Sequence, residues 1–217
     1  MSKNSKKQAA DRKARVEAMR RAEKSRERRN RIITVTISTV IVAGLIGWGT
    51  YAINNANQKK EQKAATAAKP ISGEKTWDAG KLGRNHVQGK VAYPMNPPVG
   101  GNHNPVWMTC NGNVYTKAVP NENAVHSLEH GAVWVTYNGK ATQADVKTLA
   151  DRITKTPYTL MSPDSTQSWT ITLSAWGHQL SVNTAADPRV DQFLTKYVQG
   201  PQTPEPGAAC TGGLTAS

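Results

Sequence analysis

The sequence predicts an α+β fold: a small sheet with two helices and a loop-rich N-terminal half, preceded by a single transmembrane helix. Three observations predict it. One apolar stretch, residues 32–53, contains no Asp, Glu, Lys, Arg or His. Residues 77–131 are dense in Gly, Pro and Asn, which break regular structure into loops and short strands. After residue 131, short β-branched runs alternate with segments of helical period.

The first element is a basic tail. Residues 1–31 carry 13 of the 28 Lys and Arg residues but only 4 of the 15 acids, so +9 of the chain's formal +13 sits in one seventh of its length. The excess belongs to a tail and not to a groove on a folded domain, which argues against a nucleic-acid partner. Lys, Arg, Ala and Glu favour a helix, and Glu17 stands four residues before Arg21. Such a tail reads as a topogenic segment attracted to anionic lipid.

The apolar stretch follows at once. At about 1.5 Å per residue, its length as a helix is roughly 33 Å, against a hydrocarbon core of about 30 Å. Trp48 and Tyr51 fall near its far end, where amphipathic rings suit the interface. It is longer than the apolar core of a cleavable signal, and no clear A-x-A site follows. Arg26, Arg28, Arg29 and Arg31 abut the first flank, whereas Lys59, Lys60 and Lys63 share the second with Glu61. The steeper positive side stays inside. The expected arrangement is therefore a cytoplasmic tail at 1–31, a bilayer helix at 32–54, a linker at 55–76, an extracytoplasmic domain at 77–200 and an irregular tail at 201–217. The linker reads as a solvated stalk or as a helical extension of the anchor.

Within the exported part, residues 132–137 (AVWVTY) predict a central strand. Thr142 with Asp145 predicts a helix start, and Val146, Leu149, Ala150 and Ile153 then share one face. Residues 158–161 and 169–176 read as strands, with 179–182 completing a hairpin across Gly177. Asp187 as N-cap and Pro188 at the first helical position begin a second helix to about Val198, with Val190, Leu194 and Val198 inward.

Cys110 and Cys210 are the two cysteines, both on the predicted outer side, where disulfides persist. A bridge would close a loop near 100 residues, contributing up to about 4.7 kcal/mol from chain entropy. The competing reading is two separate free or metal-binding thiols; the spacing is not C-x-x-C.

All five histidines lie in the exported part: His86, His103, His126, His130 and His178. On a helical turn His126 and His130 are i,i+4 neighbours, the spacing of two imidazoles on one metal. The string from His126 to His130 also fits H-x-x-E-H, in which Glu129 would activate a metal-bound water. Gly131 and a strand follow at once, leaving room for about one helical turn, and no further acidic ligand is evident downstream. These two features speak against a protease. A second string, Pro97-Pro98-Val99-Gly100-Gly101-Asn102-His103, uses its glycine pair to turn sharply before His103.

With His86 and the Tyr93-Pro94 region, these strings, the His-Ser-Leu-Glu-His-Gly run and Ala175-Trp176-Gly177 resemble the family of the domain of unknown function numbered 3105, found on membrane-anchored, often actinobacterial, proteins. The resemblance covers roughly 77–200 and implies no activity. His178 lies outside the matching motifs.

From the residues alone, His86, His103, His126 and His130 are candidate ligands of one divalent ion, zinc or copper. Met95 and Met108 flank His103 and make softer copper(I) ligation conceivable. The alternatives are a hydrogen-bonded histidine network or metal-independent acid–base chemistry. Two functional classes follow. One is a binding or accessory module of the cell envelope that docks onto another membrane complex. The other is a membrane-anchored metal-dependent hydrolase with Glu129 as base, or a copper-handling protein. A shell closed by four side chains favours the first; three ligands and an open water favour the hydrolase.

Overall fold

The computed structural model describes residues 3–67 and 69–215, and the chain divides into two units, residues 1–60 and 61–217. Helix α1 (Lys3–Ala67) runs through the basic tail, the apolar stretch and most of the expected linker. Among the described residues it is the one helix long and apolar enough to cross a membrane, by length and composition. Its Val40, Leu45, Ile46 and Trp48 lie exposed. The predicted Glu17–Arg21 pair forms on its surface at 2.9 Å.

The second unit is built on a six-stranded mixed sheet. Its strands are β1 (Lys75–Thr76), β2 (Asn111–Val114), β3 (Val133–Tyr137), β4 (Thr159–Pro163), β5 (Ile171–Ala175) and β6 (His178–Val182), in the order β1-β6-β5-β3-β4-β2. Strand β4 runs parallel to both β2 and β3, and the remaining pairs are antiparallel. Helix α3 (Gln143–Ile153) makes the β3-to-β4 crossover that a parallel pair requires. Thr142 caps it by accepting the Asp145 N–H, as the sequence predicts. Helix α4 (Pro188–Tyr197) starts at Asp187, whose carboxylate accepts the Arg189 N–H.

Strand alternation sends side chains to two cores. Val133, Val135, Met161, Leu173 and Leu180 pack with Leu149, Ile153, Phe193 and Leu194 of α3 and α4. Trp134, Leu160 and Trp176 meet a second cluster with Met108, Val125 and Leu128. Helices α3 and α4 thus cover one face, as expected, and the loop-rich half covers the other. That half contains helix α2 (Asn121–Glu129), nine residues where the sequence suggested one turn. The polar residues that obscure it are buried with partners: Ser127 donates to the Met108 carbonyl at 2.7 Å, and Glu122 accepts the Val91 N–H at 3.0 Å. The fold also starts earlier than Trp77, because Ile71 is buried in the first core and β1 pairs with β6. Cys110 and Cys210 form a disulfide.

Candidate metal centre

Three separate segments bring the site together. His86 lies on the loop before the glycine pair and forms a short parallel bridge with His103. Two backbone bonds fix that bridge: Val87 N–H to the His103 carbonyl at 2.8 Å, and His103 N–H to the Asn85 carbonyl at 3.1 Å. His126 and Glu129 come from α2, where a spacing of three places them on one face. Ring centroids of His86, His103 and His126 stand 4.8 to 5.0 Å apart. One ligand atom from each of these histidines and from Glu129 lies within 4.8 Å of all the others. His103, His126 and Glu129 are buried, while the His86 side chain is half exposed, so the cluster opens to solvent at His86.

The outer contacts decide what each ring offers. His103 Nδ1 is 2.8 Å from the Gly101 carbonyl, and His126 Nδ1 is 2.7 Å from the Asn104 carbonyl. A carbonyl only accepts, so each Nδ1 carries a proton and Nε2 is the ring nitrogen left to face the cluster. Gly101 makes this possible for His103. Its φ of +127° is a left-handed conformation that favours glycine, and a Cβ there would meet the Tyr93 ring at 3.1 Å.

Glu129 is held from one side by Arg84, whose Nε donates to Oε1 at 2.7 Å. Its other oxygen, Oε2, lies 2.8 Å from His103 Nε2 and 4.0 Å from His86 Nε2. The close pair lacks the alignment of a hydrogen bond, and both atoms are buried without a hydrogen-bond partner. Burial alone would raise the Glu129 carboxyl, but the His103 ring and the Arg84 guanidinium outweigh it and hold the group down to about 2. Burial, followed by the neighbouring His130, His103 and His86 rings, takes His126 down to about 4, against the Asn104 carbonyl, which favours the protonated ring. Near neutral pH the centre therefore holds an ionised carboxylate and a neutral His126.

Of the residues singled out from sequence, His86, His103, His126 and Glu129 converge, and His130 lies outside this group. Its ring packs on His126 at 4.6 Å and on Trp107 at 4.9 Å, while Nδ1 is 2.7 Å from the Ala209 carbonyl and Nε2 faces Glu205 at 3.8 Å. The expected i,i+4 rings are neighbours, but carbonyls from two different loops hold their Nδ1 atoms and His130 stays outside the group. Glu129, expected as a base beside the metal, contributes a carboxylate oxygen to the group itself. His178 belongs to another network, 3.0 Å from Glu74 on the edge of the sheet. Sequence reasoning missed Arg84 and Glu205, which carry no local signal. They meet Glu129 and His130 only through tertiary folding.

Ligands of a tetrahedral metal stand roughly 3.4 Å apart, given bonds of about 2.1 Å. The cluster brackets that spacing, from 2.8 Å between His103 and Glu129 to the 4.8 Å limit of the group.

A family model described as "Protein of unknown function (DUF3105)" matches residues 86–212, more than half of the chain and all four converging residues. No curated protein and no solved structure matches. The chain is a member of the family of the domain of unknown function 3105.

Proposed function

We propose that this chain is a membrane-anchored binding or accessory module of the cell envelope, whose extracytoplasmic domain holds one divalent metal ion through His86, His103, His126 and Glu129. The observation that carries the reading is the buried approach of His103 Nε2 and Glu129 Oε2 at 2.8 Å with no hydrogen bond between them. Buried polar atoms left without hydrogen-bond partners are costly, and a cation held between them, with His103 Nε2 as its lone-pair donor, removes the cost. Three imidazoles and a carboxylate suit zinc or copper(II). The carbonyls of Gly101 and Asn104, with Arg84 behind Glu129, supply the outer hydrogen bonds that orient such ligands.

The apolar length of α1, with the basic excess before it, supports anchoring with the tail inside. The disulfide fits an oxidising compartment outside. With four side-chain donors converging, the centre serves retention of the ion and docking of an envelope partner better than turnover. The test is metal content of the purified full-length protein. Close to one zinc or copper per chain is expected, lost in His126→Ala and retained in His130→Gln. Chains that bind neither metal on addition would overturn the reading.

A further inference from the structure

We propose that the Cys110–Cys210 disulfide is a redox latch on the metal centre. The proposal rests on the metal reading above and concerns how the ion is retained. Its basis is the path of the chain after α4. Helix α2 carries His126 and Glu129, and its last turn leaves carbonyls without intrahelical partners. The N–H groups of His130, Gly131 and Ala132 take the His126, Leu128 and Ser127 carbonyls, and the C-terminal strap takes the Glu129 carbonyl and the two that follow it. Glu205 N–H donates to the Glu129 carbonyl at 3.1 Å, Gln199 N–H to the Gly131 carbonyl at 3.0 Å, and the Gln199 side-chain amide to the His130 carbonyl at 2.6 Å. In return, His130 Nδ1 holds the Ala209 carbonyl at 2.7 Å. The Glu205 carboxylate also comes within 3.6 Å of Arg84, the residue that clamps Glu129.

Apart from the disulfide, this strap is held by hydrogen bonds, among them Tyr158 Oη to the Ala208 carbonyl at 2.9 Å and Tyr115 Oη to the Leu214 carbonyl at 3.0 Å. Among described residues 198–215, Cys210 alone is buried, and the segment contains no helix or strand. Its far end is pinned by Cys110 N–H to the Cys210 carbonyl at 2.8 Å and by Leu214, bonded to Thr109 and Trp107. The disulfide closes a separation of 100 residues, so its loss raises the entropy of the unfolded chain and lowers the stability of the fold. The strap's hydrogen bonds compete with water and are individually small. Opening the bridge therefore frees the strap first, uncaps α2, and loosens the two ligands on its last turns.

The covalent step balances. A dithiol reductant gives up two electrons and two protons; the S–S bond breaks, both sulfurs become thiols, and the reductant becomes a disulfide. Zinc, which has no redox chemistry, would take no part in this step. Both cysteines are buried, and Cys210 is flanked by the exposed Ala209 and Thr211.

The experiment measures zinc affinity of the full chain in detergent, by chelator competition. It compares the oxidised protein, the protein reduced by a water-soluble phosphine (which becomes the phosphine oxide), and Cys110→Ala/Cys210→Ala. Reduction is expected to weaken zinc binding about 10- to 100-fold, the range for losing outer support of a ligand. The double variant, which has no thiols to bind zinc, matches the reduced protein, and reoxidation restores the wild type alone. Affinity unchanged within twofold, with both thiols shown free by mass spectrometry, overturns the latch and leaves the metal reading intact. Oxidised protein that binds neither zinc nor copper overturns both. Should the double variant fail to fold, Glu205→Pro keeps the disulfide and removes the N–H that caps Glu129. Weaker binding in that variant supports the latch, and unchanged binding overturns it.

Discussion

Arg84→Met separates a metal centre from a merely structural polar cluster. Arg84 donates through Nε to Glu129 Oε1 at 2.7 Å, and its side chain is 48% exposed while that of Glu129 is 2% exposed. The substitution therefore strips the support of a buried ligand without opening the core. Outer hydrogen-bond partners of metal ligands are worth about 10- to 100-fold in affinity, equivalent to roughly 1.4 to 2.7 kcal/mol. The metal-free variant also loses stability, because the Glu129 carboxylate keeps its burial and loses its counter-charge. Added zinc offsets that loss. At a hundredfold excess over Kd, a bound ion stabilises by about 2.7 kcal/mol, or several degrees of melting temperature for a domain of this size. Chelator competition gives the affinity, and thermal melts with and without zinc give the stability. If Arg84→Met binds zinc as tightly as wild type, within twofold, the assignment of Glu129 as an Arg84-supported ligand is refuted.

Two further predictions concern the rest of the domain. His178 is stacked on Tyr197 at 4.4 Å and lies 3.0 Å from Glu74; burial lowers its pKa from 6.5, helped by Lys196 and opposed by Glu74. The unfolded chain therefore binds the proton first, so this contribution to stability is complete above about pH 6.5 and is lost as the pH falls through the folded value. Melting temperatures between pH 7.5 and 5 should fall more steeply for wild type than for His178→Gln; equal slopes would contradict the assignment. Phe193 is fully buried between α4 and the sheet, and Phe193→Ala should cost about 3 to 5 kcal/mol, lowering the melting temperature by on the order of 10 °C. A drop of only a degree or two would show that the core repacks around the gap.

Much of the fold was legible because its signals are local. Thr142 with Asp145 and Asp187 with Pro188 mark helix starts by chemistry that acts within three residues. The alternation of Val133, Trp134 and Val135 between two cores reads directly as a strand buried on both faces. Helix α2 was harder because it is buried nearly all round by polar and apolar residues alike, so no amphipathic stripe announces it. Glu122 illustrates the point. Burial would raise its carboxyl, but the Val91 N–H, its own backbone N–H and Lys90 outweigh this and hold it below the usual carboxylate value. None of those groups except its own N–H is near in sequence.

The site divides in the same way. The histidines were visible as residue types, and three of the four candidate ligands from sequence converge with Glu129. By sequence His130 is the expected fourth ligand and Glu129 a base, whereas Glu129 is the residue of α2 that joins the group beside His126. That choice is made by the Asn104 and Ala209 carbonyls, 22 and 79 residues away from the rings they orient. Arg84, 45 residues before Glu129, belongs to the same long-range information.

X-ray absorption at the metal edge of the purified full-length protein tests the central claim most directly. The account predicts one ion bound by nitrogen and oxygen alone, with outer-shell scattering from about three imidazole rings, and loss of that pattern in His103→Ala. An ion bound through sulfur, or one whose spectrum lacks imidazole scattering, would contradict it.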